Sequence, residues 1–246
     1  MLTKYQLSID KIFFKSTSED ALYKSEVKPY IKDKFRFERA LKILNSPSNK
    51  TIFEIGPYPG TGIFYFGETN QIVGFGNSDE RFEQQVNNSG HKLIELDLES
   101  SFALENFDQT DIVLLMEVLE HIRQPYKFIE NVSRLLKPGG HLYLTTNNQF
   151  YIGYILKLLL QKNIFDPIST EGSFYPGHCR YYDIKELKKI FQDLGLIVVE
   201  ANYINFLPSH RLYKNQLFGF FKNFLLRIFP KGYSTHVEFL LTKPNE

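Results

Sequence analysis

One stretch constrains the fold of this chain more than any other, the segment TIFEIGPYPGTG at residues 51–62. Its first five residues are β-branched, aromatic or apolar apart from Glu54, which predicts a buried strand, and three glycines follow. A carboxylate in such a strand is costly to bury without partners. Glycines let the backbone turn tightly and approach a ligand closely. The segment therefore predicts a ligand-binding turn at the carboxyl end of a strand, with a purely structural turn as the alternative.

Strands and helices alternate along the rest of the chain. Apolar runs bounded by turn residues predict further strands at 71–75, 92–96, 111–116, 141–146, 196–199 and 236–242. Helical spacing predicts helices at 35–44, from 63 onward, and at about 79–88, 125–136 and 184–194. Repeated β-α units of this size predict an α/β fold with a doubly wound, mainly parallel sheet and right-handed crossovers.

Composition excludes several classes of protein. A net charge of +1 over 246 residues argues against a nucleic-acid footprint spread over the surface. The single cysteine, Cys179, excludes an internal disulfide framework and a cysteine metal cluster. No apolar run approaches the roughly 18 residues that a membrane span needs, and the first residues lack a secretory signal pattern. A cytoplasmic location is the expectation.

Four motifs occur in a characteristic order. The glycine segment has the spacing G-x-x-x-G-x-G behind an acid, and it is followed by FDQTDIVLLMEVLEHI (107–122), SRLLKPGGHLYLTTNN (133–148) and GHCRYYDIKELKKIFQDLGL (177–196). This set resembles the class I, Rossmann-like S-adenosylmethionine (SAM)-dependent methyltransferases. Within them it is most similar to ubiquinone-biosynthesis O-methyltransferases and to methyltransferases of sugars and secondary metabolites. The resemblance implies a seven-stranded sheet in the order 3-2-1-4-5-7-6, with strand seven antiparallel and helices on both faces.

The resemblance also implies a domain plan. Residues 1–48 form a helical N-terminal arm, which either covers a ligand pocket or is a packing appendage. Residues 49–246 form the methyltransferase domain, with apolar inserts at about 149–176 and 207–232.

The cofactor implied by the resemblance is SAM, with S-adenosylhomocysteine as product. Carried over by motif, the residues fall into three groups: Glu54, Gly56, Pro57 and Gly60 at the methionine end, Asp97 and Leu98 at the adenine, and Met116 and Glu117 on the sulfonium side. One position departs from the family pattern. Where an acid usually binds the ribose hydroxyls, this chain has Gly76, followed by Asn77. An amide binds a diol less strongly than a carboxylate does. The sequence therefore leaves two alternatives, a methyltransferase with reduced cofactor affinity and a family member without catalytic activity.

Methyl transfer to a hydroxyl benefits from a general base. His121 follows the fourth predicted strand and is the candidate, with a histidine bonded to the backbone as the alternative. His178 is a second candidate, and Arg180 and Asn148 are candidates for binding the acceptor. Loop anchoring is the alternative for His178 and Arg180. The six histidines are scattered along the sequence without a metal-binding pair, so no metal site is expected.

Two other functions compete. A short-chain dehydrogenase would need a Tyr-x-x-x-Lys pair; Tyr181 and Lys185 have this spacing, but Tyr181 precedes the predicted helix and Glu54 stays unexplained. A SAM-fold scaffold without turnover would explain Gly76. The expected partner is a small-molecule or lipid-linked acceptor, with no nucleic acid. Apolar, cationic segments at 150–160 and 213–229 fit a cover for the core, a lid, a homodimer surface or contact with the inner face of a membrane.

Overall fold

The structure is a computed structural model. It describes residues 34–57, 61–77, 83, 86–99, 107–164, 177–205 and 227–245. The strands are β1 (Thr51–Ile55), β2 (Gln71–Gly76), β3 (Lys92–Glu95), β4 (Thr110–Met116), β5 (Leu136–Asn147), β6 (Ile197–Ile204) and β7 (His236–Thr242). The helices bounded within this part of the chain are α1 (Lys34–Ile43), α2 (Thr61–Phe66), α3 (Pro125–Arg134), α4 (Ile152–Leu159), α5 (Ile184–Asp193) and α6 (Pro230–Tyr233). A short 3-10 turn covers Leu119–His121.

The sheet has the strand order β3-β2-β1-β4-β5-β7-β6. β1 lies between β2 and β4 and is parallel to both, with Glu54 opposite Gly74 on one side and Leu114 on the other. β7 is antiparallel to β5 and to β6. The predicted order and the reversed seventh strand are therefore confirmed. Because parallel strands end at the same edge of a sheet, the segments that follow β1 to β4 are brought together there.

Two apolar layers cover the sheet, because successive side chains of a buried strand point to opposite faces. The larger layer packs α3 and α5 against one face and includes Val132 of α3 and Phe191 of α5, whose ring meets that of Phe239 on β7. The smaller layer packs α1 and α2 against the other face and includes Phe37 and Phe66. Helix α1 is thus part of the core of the domain.

The structure corrects the predicted boundary between α3 and β5, and it extends the strand predicted at 196–199 to residue 204. β5 begins at Leu136, whereas the sequence predicted a helix up to that residue and a strand only from His141. The β4–β5 register passes from Thr110 opposite Leu136 to Ile112 opposite His141. The Lys-Pro-Gly-Gly segment is therefore an irregular part of the strand edge, with Gly139 at a φ of +74°.

The apolar inserts are described only in part. α4 leaves Leu156, Leu158 and Leu159 exposed at 50%, 56% and 74%. The rest of the first insert, and most of the cationic segment 213–229, lie outside the described residues. Within the described part of the chain, no helix combines the length and the apolar character needed to cross a bilayer.

Candidate active site

The turn after β1 is tightly packed. Gly56 has a φ of +71°, and a Cβ added there would lie 2.5 Å from Cγ2 of Val118, on the segment after β4. Pro57 is buried. A Cβ on Gly62 would lie 2.2 Å from Oε2 of Glu54, so the carboxyl group lies directly against the backbone of α2. Gly60, between these glycines, lies outside the described residues. Glycine is thus required at 56 and 62 by the close approach of other side chains, and the predicted approach of this turn to a ligand stays a prediction.

Glu54 is a fully buried carboxyl group at the end of β1. The backbone N–H of Gly62 donates a hydrogen bond to it, but burial dominates and raises its pKa to about 8. Among the described residues, its Oε2 has no hydrogen-bond partner. A buried acceptor without a donor is costly, so this oxygen fits a site that a donor from a bound molecule completes.

The positions assigned to the ribose and adenine lie at the same edge. Gly76 ends β2 with a φ of +152°, and a Cβ there would lie 3.4 Å from the Cα of Gly56. The side chain of Asn77 is exposed directly after it. Asp97 is exposed after β3, and its Oδ1 accepts the backbone N–H of Glu99 at 3.0 Å, while Leu98 is half-buried against the larger core. Both turns therefore leave polar side chains available at the edge.

Glu117 follows β4 in a strained conformation, with a φ of +56°. Its Oε2 lies 2.9 Å from Nε2 of His236, and its Oε1 accepts the hydroxyl of Thr145 at 3.0 Å. Burial alone would raise the pKa of Glu117, but the positive charges of His236 and Arg36, with these hydrogen bonds, hold it at about 2. The preceding residue, Met116, is 7% exposed and packs in the smaller core. The strand therefore ends in a fixed carboxylate.

Glu120, His121 and His178 form a second cluster. The backbone N–H of Cys179 donates to the carbonyl of Glu120 at 2.8 Å, which ties the segment before α5 to the turn at 119–121. The rings of His121 and His178 then meet edge to face at 4.8 Å. Both of these predicted residues are thus brought together, which the sequence could not specify.

The carboxyl group of Glu120 is completely buried. Thr146 Oγ1 and Asn147 Nδ2 donate hydrogen bonds to its two oxygens, each at 2.8 Å. Burial and the nearby negative charge of Glu117 raise the pKa of Glu120 well above its usual range. A carboxylate oxygen of Glu120 and one ring nitrogen each of His121 and His178 lie within 4.8 Å of one another, so the three residues could hold a metal ion. Two of the six histidines, although distant in sequence, therefore lie together with a glutamate, and the expectation that there is no metal site stays a prediction.

Two predicted acceptor contacts find other partners. Asn148 is fully buried, its Nδ2 donates to the carbonyls of Lys231 and Ser234 at 2.7 Å, and its Oδ1 accepts the N–H of Phe150. All three contacts are to backbone groups, so the side chain of Asn148 ties the end of β5 to the segment before β7, and its contact with the acceptor stays a prediction. Arg180 is exposed and forms an ion pair with Glu186 on α5. Its guanidinium does not join the histidine cluster.

Two residues of the site were missed by sequence reasoning, Arg36 and His236. Arg36 lies on α1, and its charge lowers the pKa of both Glu117 and Glu120. His236 opens β7 and holds Glu117 while its Nδ1 lies 2.7 Å from the hydroxyl of Thr235. Both residues are remote in sequence from the motifs, and no local pattern marks them.

A family model described as "Methyltransferase domain" matches residues 23–201. The chain belongs to this family. The methyltransferase resemblance is thereby confirmed, with SAM as the expected cofactor, and the dehydrogenase alternative is not supported. The matched region includes α1, the glycine turn, Glu117 and the cluster of Glu120, His121 and His178, whereas His236 lies beyond it.

Similar proteins of known name are ubiquinone-biosynthesis O-methyltransferases. The mitochondrial protein of Dictyostelium discoideum is 29% identical over 123 residues, which cover 44% of this chain and 38% of the relative. The protein of Colwellia psychrerythraea is 31% identical over 113 residues, or 45% of each chain. The aligned part of this methyltransferase thus spans less than half of these two relatives.

Solved structures share the fold at low sequence identity. The N-methyltransferase NodS of Bradyrhizobium japonicum, in complex with S-adenosylhomocysteine, has a TM-score of 0.54 at 12% identity and covers 98% of both chains. The [4+2]-cyclase SpnF has a TM-score of 0.56 at 12% identity and covers 87% of this chain and 82% of its own. A shared fold at this identity does not fix the reaction or the acceptor atom.

Proposed function

We propose that this methyltransferase transfers a methyl group from SAM to an oxygen of a small-molecule, sugar or lipid-linked acceptor. The observation that carries the proposal is the edge of the sheet, where a glycine turn and the buried acceptor Glu54 Oε2 adjoin the acidic and histidine clusters after β4. Bound SAM supplies an already activated methyl group, so the protein contributes mainly position and exclusion of water. The names of the relatives support oxygen as the acceptor atom.

Different groups of residues bind the different parts of the cofactor. Glu54, Gly56, Pro57 and Gly60 hold the methionine half, and Glu117 faces the sulfonium side together with the backbone at Met116. Asp97 accepts a hydrogen bond from the adenine amine beside Leu98. At the ribose, Asn77 takes the place of the usual acid, since Gly76 has no side chain; this contact is weaker than that of a carboxylate.

The acceptor is placed beside His121 and His178. As the oxygen–methyl bond forms and the sulfur–methyl bond breaks, the hydroxyl proton passes to one of these imidazoles. The ring of His178 is oriented by Tyr181, whose hydroxyl lies 3.3 Å from Nδ1. The cluster also has the composition of a cation site, and a divalent ion held by Glu120, His121 and His178 would acidify the hydroxyl directly.

These two roles are separated by one experiment. Turnover is measured after dialysis against EDTA and again after addition of Mg²⁺, Mn²⁺ or Zn²⁺. Activity that survives dialysis assigns the proton to histidine. Activity that is lost and restored by a cation assigns a metal to the cluster.

The proposed activity itself is tested in two stages. Calorimetry with S-adenosylhomocysteine, with NADH as the control ligand, tests the cofactor. Turnover with a panel of catechols, sugars and lipid-linked hydroxyl compounds tests the reaction. A protein that binds S-adenosylhomocysteine but methylates nothing in the panel is the scaffold that the Gly76 departure leaves open.

We also propose a cytoplasmic protein that touches the inner face of a membrane. The support is the exposed apolar surface of α4 beside Lys157 and Lys162. Residues 213–229 extend the same apolar and cationic pattern in sequence. Sedimentation with anionic liposomes, before and after deletion of 213–229, tests this contact, and light scattering of the free protein tests a homodimer.

A further inference from the structure

Another buried carboxylate, Glu238 on β7, lies outside the groups used above. It is completely buried on the face covered by α1. Arg39 of α1 binds both of its oxygens, with Nη2 to Oε1 at 2.7 Å and Nε to Oε2. Tyr143 Oη and Asn202 Nδ2 donate further hydrogen bonds at 2.8 and 3.1 Å. With this many donors around it, the buried carboxylate of Glu238 is a specific binding site for the guanidinium of Arg39, and this site is called the receptor below.

The receptor is next to the proposed active site. Glu238 is opposite Thr145 in the β5–β7 register, and Thr145 is the residue that donates to Glu117. His236, two residues before Glu238 and therefore on the same face of β7, holds the other oxygen of Glu117. One face of β7 thus contacts both α1 and the strained end of β4.

The spacing on α1 connects the two contacts. Arg36 precedes Arg39 by three residues, so both side chains lie on the same side of the helix. Arg39 reaches Glu238, while the charge of Arg36 acts on Glu117 and Glu120. If α1 moved away from β7, Arg36 would move away from Glu117.

We propose that Arg39 is a positioning residue. Its ion pair with Glu238 holds α1 against β7, next to the edge of the sheet assigned to SAM, and places Arg36 beside Glu117. This rests on the proposed function, because that edge is the site assigned to SAM. Apolar packing of Phe37 and Ala40 also holds the helix. It restrains the position of the Arg36 guanidinium less strictly than the bidentate ion pair of Arg39 does.

The test uses Arg39→Lys and Arg39→Met, each with and without Arg36→Met. Arg134→Met is the matched control, since Arg134 also pairs with a glutamate but lies at the end of α3. Affinity for S-adenosylhomocysteine is measured by calorimetry, and amide hydrogen exchange is followed in residues 36–43. Arg39→Met is expected to weaken binding about tenfold or more and to speed exchange in α1 relative to β1, with Arg39→Lys between it and the wild type. In a protein that already carries Arg36→Met, adding Arg39→Met should weaken the binding of S-adenosylhomocysteine by less than about twofold.

Glu238→Gln is the second variant, because Arg39→Met leaves a buried charge without its main partner. In Glu238→Gln no buried charge remains and the half-exposed head of Arg39 can turn to water, so this variant should fold. It is expected to give the same faster exchange in α1 and weaker binding. Unchanged exchange and affinity in Glu238→Gln, or an undiminished Arg39 effect without Arg36, would overturn the proposal. A wild type that does not bind S-adenosylhomocysteine refutes the proposed function instead, and exchange in α1 still tests the anchor.

Discussion

Replacing Glu54 by glutamine should remove a pH-dependent loss of stability. Burial raises the pKa of Glu54 to about 8, against an ordinary value of 4.5. A group whose pKa is raised by folding stabilises the folded state fully at a pH below its pKa in the unfolded chain. That stabilisation is lost as the pH rises through its pKa in the folded protein. The wild type should therefore become less stable, relative to Glu54→Gln, between about pH 4.5 and pH 8.

The size of this effect follows from the difference between the two pKa values. They differ by about 3.5 units, and each unit corresponds to about 1.4 kcal/mol, so the upper limit is on the order of 5 kcal/mol. Glutamine is neutral throughout and lacks this dependence. The stability of the variant relative to the wild type should rise by several kcal/mol across the range, which is a large part of the stability of a typical domain.

Urea denaturation of both proteins at pH 5, 6, 7 and 8 measures this difference. Other titrating groups are shared by the two proteins and cancel. Glu130→Gln is the control, because Glu130 is a partly exposed residue of α3 whose pKa is lowered by Lys127, so no rise is expected over this range. A flat difference between wild type and Glu54→Gln would show that Glu54 ionises normally and is not the buried acid of the cleft.

Three further outcomes are expected. His121→Ala should lower kcat by about 100-fold or more with a smaller effect on KM, measured with the acceptor found in the panel, if the imidazole takes the proton. The wild type should be more stable than Glu117→Gln above about pH 4.5, because folding lowers the pKa of Glu117 to about 2. This difference in stability should disappear as the pH falls toward 2, which acid unfolding of both proteins measures. Asn148→Ala should lower the free energy of unfolding by about 2–4 kcal/mol while leaving affinity for S-adenosylhomocysteine unchanged, since the side chain binds only backbone groups.

The sequence predicted the sheet well because its signals are local. β7 was predicted at 236–242 and lies there, and the start of α5 at Ile184 was predicted from the residues before it. The strand order came from the resemblance to a family and is confirmed by the sheet. The start of β5 was missed because a Lys-Pro-Gly-Gly segment is typical of a helix end, while here it forms an irregular strand edge.

The site was predicted less completely because its contacts are long-range. Glu54 and Gly56 lie within the glycine segment and were predicted from it, and their contact with the cofactor stays a prediction. The pairs Glu117–His236 and Arg39–Glu238 join residues far apart in the chain, the second pair separated by 199 positions. The family motif marks Glu117, but no local pattern marks His236, Arg39 or Glu238, so only the fold identifies the two pairs.

The central claim is that the turn after β1 binds the cofactor, and calorimetry with S-adenosylhomocysteine on matched glycine variants tests it most directly. Gly56 and Gly195 have nearly equal φ angles of +71° and +74°, so alanine strains both backbones, but only at Gly56 would its Cβ meet another residue, at 2.5 Å. The wild type and Gly195→Ala should bind one molecule with the same affinity, and Gly56→Ala should bind at least about tenfold more weakly. No binding by the wild type, or equal binding by all three proteins, would contradict the account.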